Sequence, residues 1–288
     1  MSRRDDEAGM ILVNVLMFVA IASGLVLLMI SREELALDRG LRTREAARAL
    51  AIVRGGELSA LSALRRDAVT GADADHAAEP WGKLSEKAAP IEGGTFDLSI
   101  ADAEGRFNVN ALRSGEVAAL LLFQSIASEV ELPAEQALAA AEYVRRDGPI
   151  SDLRPLRLAG INPKVADRLE RLVTALPGTT TINLNAADPE MLRLLFRDPL
   201  VATRLAEIRG RQGYLTLKDL TDQNVTMPWG TSFRSNTFWV RTRATIGGTS
   251  QQVATLIQRR KTPDGQVEVV PVQRWRGAAV PPGAPALP

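Results

Sequence analysis

From Met10 to Ile30 the chain is an unbroken apolar run, MILVNVLMFVAIASGLVLLMI, with no charged residue and only Asn14, Ser23 and Gly24 as non-apolar interruptions. As a helix at about 1.5 Å per residue it spans roughly 31 Å, the thickness of a bilayer's hydrocarbon core. From Ser31 to about Val69 the pattern turns amphipathic: Leu50, Val53, Leu58, Leu61, Leu64 and Ala68 recur at spacings of three to five, which predicts a stem helix. Gly55-Gly56 marks a place where that helix weakens or bends. Residues 71–94, rich in Ala, Gly, Asp and Pro, read as a loop. Phe96, Leu98 and Ile100 then alternate with polar neighbours, which predicts a half-buried strand over Thr95–Asp102.

Five helices are expected next, over Glu116–Val130, Pro133–Arg146, Pro163–Leu176, Pro189–Phe196 and Leu200–Arg211. Several open on Pro in the first turn or on a preceding Asp, as at Asp188-Pro189 and Asp198-Pro199. Alternation returns over Phe238–Ile246, Gln252–Arg260 and Val267–Trp275, separated by Gly247-Gly248 and Pro263-Asp-Gly265, so these form an antiparallel meander. Helices set between strands of one sheet imply an insertion. The predicted class is α+β: a long N-terminal membrane and stem helix, and a small antiparallel sheet carrying a large all-helical insertion. The expected divisions are a charged leader at 1–9, a transmembrane part at 10–30, the rest of the stem at 31–69, the first part of the α/β domain at 70–112, the insertion at 113–228, the C-terminal sheet at 229–277 and a Pro-rich disordered tail at 278–288.

Composition narrows the chemistry. The 288 residues hold 35 basic and 34 acidic side chains, a formal charge of +1, so no basic surplus points to nucleic acid. Zero Cys removes disulfides, thiolate metal sites and a thiol nucleophile. The single histidine, His76, reads as an exposed loop residue in Gly71-Ala-Asp-Ala-Asp-His76, which disfavours a histidine metal site or a Ser-His-Asp triad. Asp102 with Glu104, and Asp5-Asp6-Glu7, are carboxylate groups without a partner base or phosphate loop, and solvation is their expected state. Glu142, Asp147 and Asp152 could offer oxygen ligands to calcium, but their spacing is not that of an EF-hand. No enzyme constellation is present and no cofactor is expected.

Three readings of the N-terminus compete. Ala20-Ile21-Ala22 has the form of a signal-peptidase site, but the apolar run continues past it to Ile30. A plain membrane anchor is the second, with Arg3-Arg4 and Arg32-Glu33-Glu34 giving no clear orientation. In the third, the short charged leader Arg3–Gly9, ending in Gly directly before the apolar helix, resembles a type IV prepilin or pseudopilin signal. That resemblance implies cleavage between Gly9 and Met10 by a prepilin peptidase on the cytoplasmic side and methylation of the new N-terminus at Met10. It also exposes a departure: the fifth mature position, usually Glu, is Asn14. A neutral side chain cannot neutralise a neighbouring subunit's terminal amine.

Two stretches of the helical block, Leu158–Leu169 and Ile182–Leu220, look like helix-hairpin-helix elements, and the second resembles the C-terminal module of membrane-anchored competence DNA receptors. DNA binding is therefore the rival function. DNA-binding hairpins present Gly-apolar-Gly to a phosphate, whereas these read Gly160-Ile161-Asn162 and Asp198-Pro199-Leu200. The segments Ile100–Leu112 and Ile182-Asn-Leu-Asn-Ala-Ala187, together with leader, stem, insertion and final sheet in order, resemble the type II secretion system minor pseudopilin K family, also called general secretion pathway protein K. The resemblance implies a non-enzymatic subunit at the tip of the pseudopilus. It would be single-pass in the inner membrane with its globular part in the periplasm, and associated with minor pseudopilins I and J and other pseudopilins of the filament. Some family members bind calcium before the first hairpin; Glu142–Asp152 is short and basic by comparison, and the disulfide of some members is impossible here.

Overall fold

The computed structural model describes residues 3–71, 73–157 and 160–288, with side chains of the first helix described from Val13 onward. That helix, α1, runs continuously over Arg3–Thr70. A short strand β1 (Glu86–Ile91) turns into β2 (Gly94–Asp102); β3 (Phe107–Asn108) leads through a 3-10 turn at Val109–Ser114 into the helical block. The block holds α2 (Val117–Glu129), α3 (Ala134–Asp147), α4 (Arg154–Arg157), α5 (Pro163–Leu172), strands β4 (Val173–Thr174) and β5 (Ile182–Asn183), then α6 (Pro189–Phe196), α7 (Pro199–Gln212), α8 (Leu217–Asp222) and β6 (Thr231–Ser232). The chain closes with β7 (Thr237–Ile246), β8 (Thr249–Lys261) and β9 (Val267–Arg276).

The main sheet is antiparallel throughout, in the order β1-β2-β7-β8-β9, so β2 and β7 are hydrogen-bonded neighbours although the helical block separates them in sequence. The α+β class and the insertion are what the alternation and helical periods predicted. Strand periodicity sorts β7 into two faces. Phe238, Val240, Ala244 and Ile246 meet α1 through Ala49, Val53, Ala60, Leu61 and Leu64, while Trp239 faces away and packs with Leu176, Leu256 and Ala284. The insertion has its own core, including Phe123, Ile126, Val144, Leu169, Leu192 and Leu205.

Several expectations change. Leu58 is 60% exposed, because a helical period that buries Val53 and Leu61 passes through 56, 57 and 60 and leaves 58 outside. Gly55-Gly56 does not break α1. Instead a Cβ on Gly56 would lie 2.5 Å from Phe96 Cζ and 3.1 Å from Thr242 Cγ2, so the glycine lets the helix approach the sheet. Glu86–Ile91, read as loop, is an edge strand; its residues are mostly exposed and do not alternate, but ladder bonds to β2 and the Ala88 N–H donated to Asp97 (2.9 Å) hold it. The helix expected to reach Leu176 stops at Leu172, where Val173-Thr174 pairs with Phe107-Asn108. The tail read as disordered packs along the sheet: Pro281 and Ala284 are buried and Arg241 donates to the Pro285 carbonyl at 2.9 Å. Pro281 and Pro282 beside Trp239, with Val280 and Ala284 in the apolar cluster that holds Trp239 and Trp275, supply the contact that composition alone does not reveal.

Polar contacts fix how the stem lies on the sheet. Glu57 accepts from Arg274 (2.6 Å) and from Thr255 Oγ1 (2.9 Å), Glu45 from Thr249 Oγ1 (2.9 Å), and Arg65 donates to the Val269 carbonyl. Gly56→Leu is expected to destabilise the fold by about 1–3 kcal/mol by forcing helix and sheet apart. Gly55→Ala, whose Cβ meets nothing within 4 Å, is expected to stabilise it by roughly 0.5–1 kcal/mol. Thermal denaturation of the detergent-solubilised chain compares the two.

Candidate functional site

The described polar groups concentrate where stem, sheet and insertion meet. Asp67 in the last turn of α1 and Asp75 in the following loop both accept from Arg259 of β8, Asp75 at 2.6 Å; the guanidinium carbon lies 4.5 Å from the centre of the Phe238 ring. Asp75 also accepts from the Ser235 N–H at 2.9 Å. Glu79 takes the Trp81 indole N–H and the His76 N–H, each at 2.9 Å. Asp67, Asp75 and Glu79 are, among the described residues, the one group close enough to share a metal ion. Arg259 already neutralises two of the three and N–H donors serve the third, so the arrangement is an ion pair with capped ends.

A few ångströms on, Asn183 Nδ2 reaches the Asp75 carbonyl (2.9 Å), Asp102 Oδ2 (2.7 Å) and Ser235 Oγ (3.0 Å), and Ser235 Oγ donates to Asp102 at 2.6 Å. Asp102 caps its own turn through the Glu104 N–H at 2.7 Å, and Glu104 is 0% exposed. The carboxylates expected to be solvated are therefore enclosed. Burial pushes Asp102 up to about 6, against the opposing hydrogen bonds from Ser235, the Glu104 N–H and Asn183. Burial pushes Glu104 up to about 8. His76, expected in an exposed loop, is half-buried and stacks on Tyr214 of the insertion with ring centres 4.5 Å apart.

Two Asn-x-Asn segments stitch the insertion in place. Asn108 accepts from the Leu176 N–H (3.1 Å) and donates to the Gly178 carbonyl (2.9 Å). Asn110 exchanges bonds with both backbone groups of Ile150 (2.9 and 3.0 Å). Asn185 does the same with Leu215, at 3.2 and 2.6 Å. Each amide offers a donor and an acceptor side by side, so it can replace a strand neighbour for an irregular backbone. Gly105 completes the seam: a Cβ there would lie 2.4 Å from the Ala186 carbonyl oxygen.

The remaining sequence candidates stand apart from this junction. Gly9 and Met10 lie within α1, their side chains outside the described part, as are those of Asp5, Asp6 and Glu7. Asn14 is exposed on the apolar stretch. From Val13 the helix is long and apolar enough to cross a membrane, and its most apolar window has no buried residue. Asp147 pairs with Arg146 (2.8 Å) and Asp152 with Arg154 (2.5 Å). With guanidinium groups on two of the three carboxylates suggested for calcium, and Glu142 exposed, these residues do not fit a calcium site.

The hairpin ends are equally occupied. Asp198 accepts from the Leu200 and Val201 N–H groups of α7, and Asn162 from the Lys164 N–H of α5. Those are the donors a phosphate would need.

The fold matches a chain of the GspK-GspI-GspJ complex from the enterotoxigenic Escherichia coli type 2 secretion system with a TM-score of 0.63, covering 83% of this chain and 99% of that one at 22% identity. The type II secretion system protein K of Pseudomonas aeruginosa is 27% identical over 93% of this chain and 92% of its own length. The chain is a relative of type II secretion system protein K. The protein K of Klebsiella pneumoniae aligns over 91% of the chain at 23% identity. No protein-family model matches. The likeness to protein K covers stem, sheet and insertion together, and the Asn-x-Asn segments that carried it in the sequence are the ones that join insertion to sheet.

The junction residues missed from sequence, Asp67, Asp75, Ser235 and Arg259, come from segments up to 192 positions apart. Asn183, Asp102 and Asp75 sat in segments already singled out, without a sign that they meet. Arg259→Met is expected to cost roughly 3–5 kcal/mol, since it leaves two enclosed carboxylates unpaired; chemical denaturation measures it. A second expectation concerns pH. Because Asp102 and Glu104 hold protons more tightly when folded, their contribution favours the fold at low pH. It is lost as pH rises from the unfolded values, near 4, through about 6 for Asp102 and about 8 for Glu104. The melting temperature is expected to fall between pH 5 and 8, and Glu104→Gln to flatten the upper part of that decline.

Proposed function

We propose that the chain is a minor pseudopilin of type II secretion, anchored in the inner membrane by the apolar half of α1 with its globular part in the periplasm. The observation that carries this reading is the near full-length similarity to type II secretion system protein K from two bacteria, over a stem, sheet and insertion that also share the GspK fold. It acts as a structural subunit, without a catalytic centre or cofactor. The junction carboxylates are engaged by Arg259, Ser235, Asn183 and backbone N–H groups, or enclosed like Glu104.

Its place is the tip of the pseudopilus, where it assembles with minor pseudopilins I and J and caps or initiates the filament. Two features support that placement. Asn14 cannot form the ion pair that a Glu at this position would offer a neighbouring subunit's amine, which suits a subunit with nothing stacked above it. The insertion adds a second core beside the compact sheet, a bulk that a regularly repeating subunit would have to accommodate at every step. The prepilin peptidase cuts between Gly9 and Met10, and Met10 becomes the methylated N-terminus. DNA binding is disfavoured by the self-capped hairpin ends.

Intact-mass and N-terminal peptide analysis of membrane-derived protein is expected to give a mature chain starting at N-methylated Met10. A start at Ser23, or a retained Met1, overturns the pseudopilin reading. Co-expressed minor pseudopilins I and J are expected to co-purify with the full chain.

A further inference from the structure

The α2–α3 hairpin presents to solvent an apolar groove of about 490 Å³, walled by Leu120, Phe123 and Ala127 of α2, Leu138 of α3 and Leu132 between them. The apolar surface extends beyond its rim. Val117, Leu121 and Leu138 are each half or more exposed. Val117 and Leu121 stand one turn apart on the face of α2 that continues through Gln124 and Ser128 into the groove. Clustered apolar exposure of this kind marks an interaction surface.

Charge around the groove has one sign. From 116 to 142 the sequence holds five glutamates, Glu116, Glu129, Glu131, Glu135 and Glu142, and no Asp, Lys, Arg or His. All five are exposed. Among the described residues, Glu131 is the one charged side chain in the groove lining. Arg168 of α5 approaches its carboxylate at 3.5 Å, yet the Glu131 side chain stays largely open to solvent. The backbone at this residue is a second observation. α2 ends in a Schellman turn, with the Leu132 N–H on the Ala127 carbonyl (2.8 Å) and the Glu131 N–H on the Ser128 carbonyl (3.1 Å). That turn holds Glu131 at a φ of 60°, the left-handed position that glycine fills at lowest cost. A carboxylate kept there against the backbone's preference implies a use for the side chain.

We propose that this groove docks an amphipathic helix of a partner protein, with its apolar side chains in the groove and its Lys or Arg side chains facing Glu131 and the acidic rim. An apolar seat with acidic borders is complementary to a basic amphipathic segment. The helical form follows from the walls. α2 and α3 bond their own N–H and C=O groups, so an extended segment would find no ladder there, whereas a helix brings its own hydrogen bonds. The assignment does not depend on a place in a pseudopilus.

Fluorescence anisotropy on the full chain in phosphatidylcholine nanodiscs, with empty nanodiscs as the blank, tests this. The probe is a labelled Leu/Ala/Lys peptide of about 18 residues with one apolar stripe, long enough to span α2. It is expected to bind, and the same peptide with Glu for Lys, or with a central Pro, is expected not to. Leu138→Ser, at an exposed position, is expected to weaken binding about tenfold. Glu131→Gln is expected to weaken it about threefold with the melting temperature unchanged. Glu131→Gly is expected to give the same loss while raising the melting temperature by roughly 2–4 °C, because it relieves the left-handed backbone. Equal binding of the Glu peptide, or affinity unchanged by Leu138→Ser or by both Glu131 variants, overturns the proposal. Equal binding of the Pro-broken peptide overturns the helical form. A concentration-dependent dimer that Leu138→Ser abolishes makes a second copy of this chain the occupant, and likewise overturns it.

Discussion

Arg259 lies 7% exposed on β8 with its guanidinium between Asp67 and Asp75 and over the face of Phe238. A guanidinium keeps its proton at any pH the protein meets, so once buried it must have carboxylates brought to it. One comes from the last turn of the stem and the other from the loop beyond, 192 and 184 positions away in sequence. The pair therefore fixes where α1 ends relative to the sheet and sends the loop toward Ser235, whose N–H binds the same Asp75. Glu57, held by Arg274 and Thr255, adds a second fixed point two to three turns earlier along the same helix. Gly56, directly before Glu57, allows the close approach, so helix position and register are set by polar pairs while the apolar stripe supplies most of the buried area.

The insertion is attached by different means. Its apolar core is separate from the two that join stem to sheet. The seam is held mainly by side-chain amides on backbone groups and by two short parallel ladders, Phe107-Asn108 with Val173-Thr174 and Ile182-Asn183 with Thr231-Ser232. Hydrogen bonds of this kind specify geometry closely while each adds only about 1 kcal/mol of net stability. The cost of leaving one unmade inside the protein is larger, so position 105, where a Cβ would strike the Ala186 carbonyl, accepts only glycine.

Much of the architecture was legible in the sequence because it follows from periodicity. The strands alternate apolar with polar residues over Phe96–Ile100 and Val240–Ile246, and the Asp-Pro starts of α6 and α7 fall where the capping rule puts them. What could not be read depended on partners far away in sequence. The edge strand β1 has no pattern of its own and exists because β2 pairs with it. The Pro-rich tail had the composition of a disordered segment, yet Trp239 and Trp275 give it a surface to lie on. Asp102 and Glu104 looked like solvated acids because sequence does not show that Asn183, Ser235 and the start of β7 close over them. The resemblance to protein K was legible for a related reason: its signature covers the residues of the seam, where chemistry rather than hydrophobicity restricts the choice.

Nine residues from Asp102 to Asn110 bring these constraints to one point. Asp102 ends β2 and joins the network that reaches Arg259 through Asp75; Glu104 accepts the Asn183 N–H through its carbonyl while its carboxyl is enclosed. Gly105 lets the insertion's Ala186 come within contact, and Asn108 and Asn110 hold the far side of the same domain. A displacement of the stem against the sheet must disturb Asp67 and Asp75, and Asn183 and Ser235 are bonded both to Asp75 and to Asp102. Among the described residues, stem and insertion fall in separate apolar cores. The polar route from the stem to the insertion therefore passes through the carboxyl groups of Asp67, Asp75 and Asp102, joined by Arg259, Ser235 and Asn183.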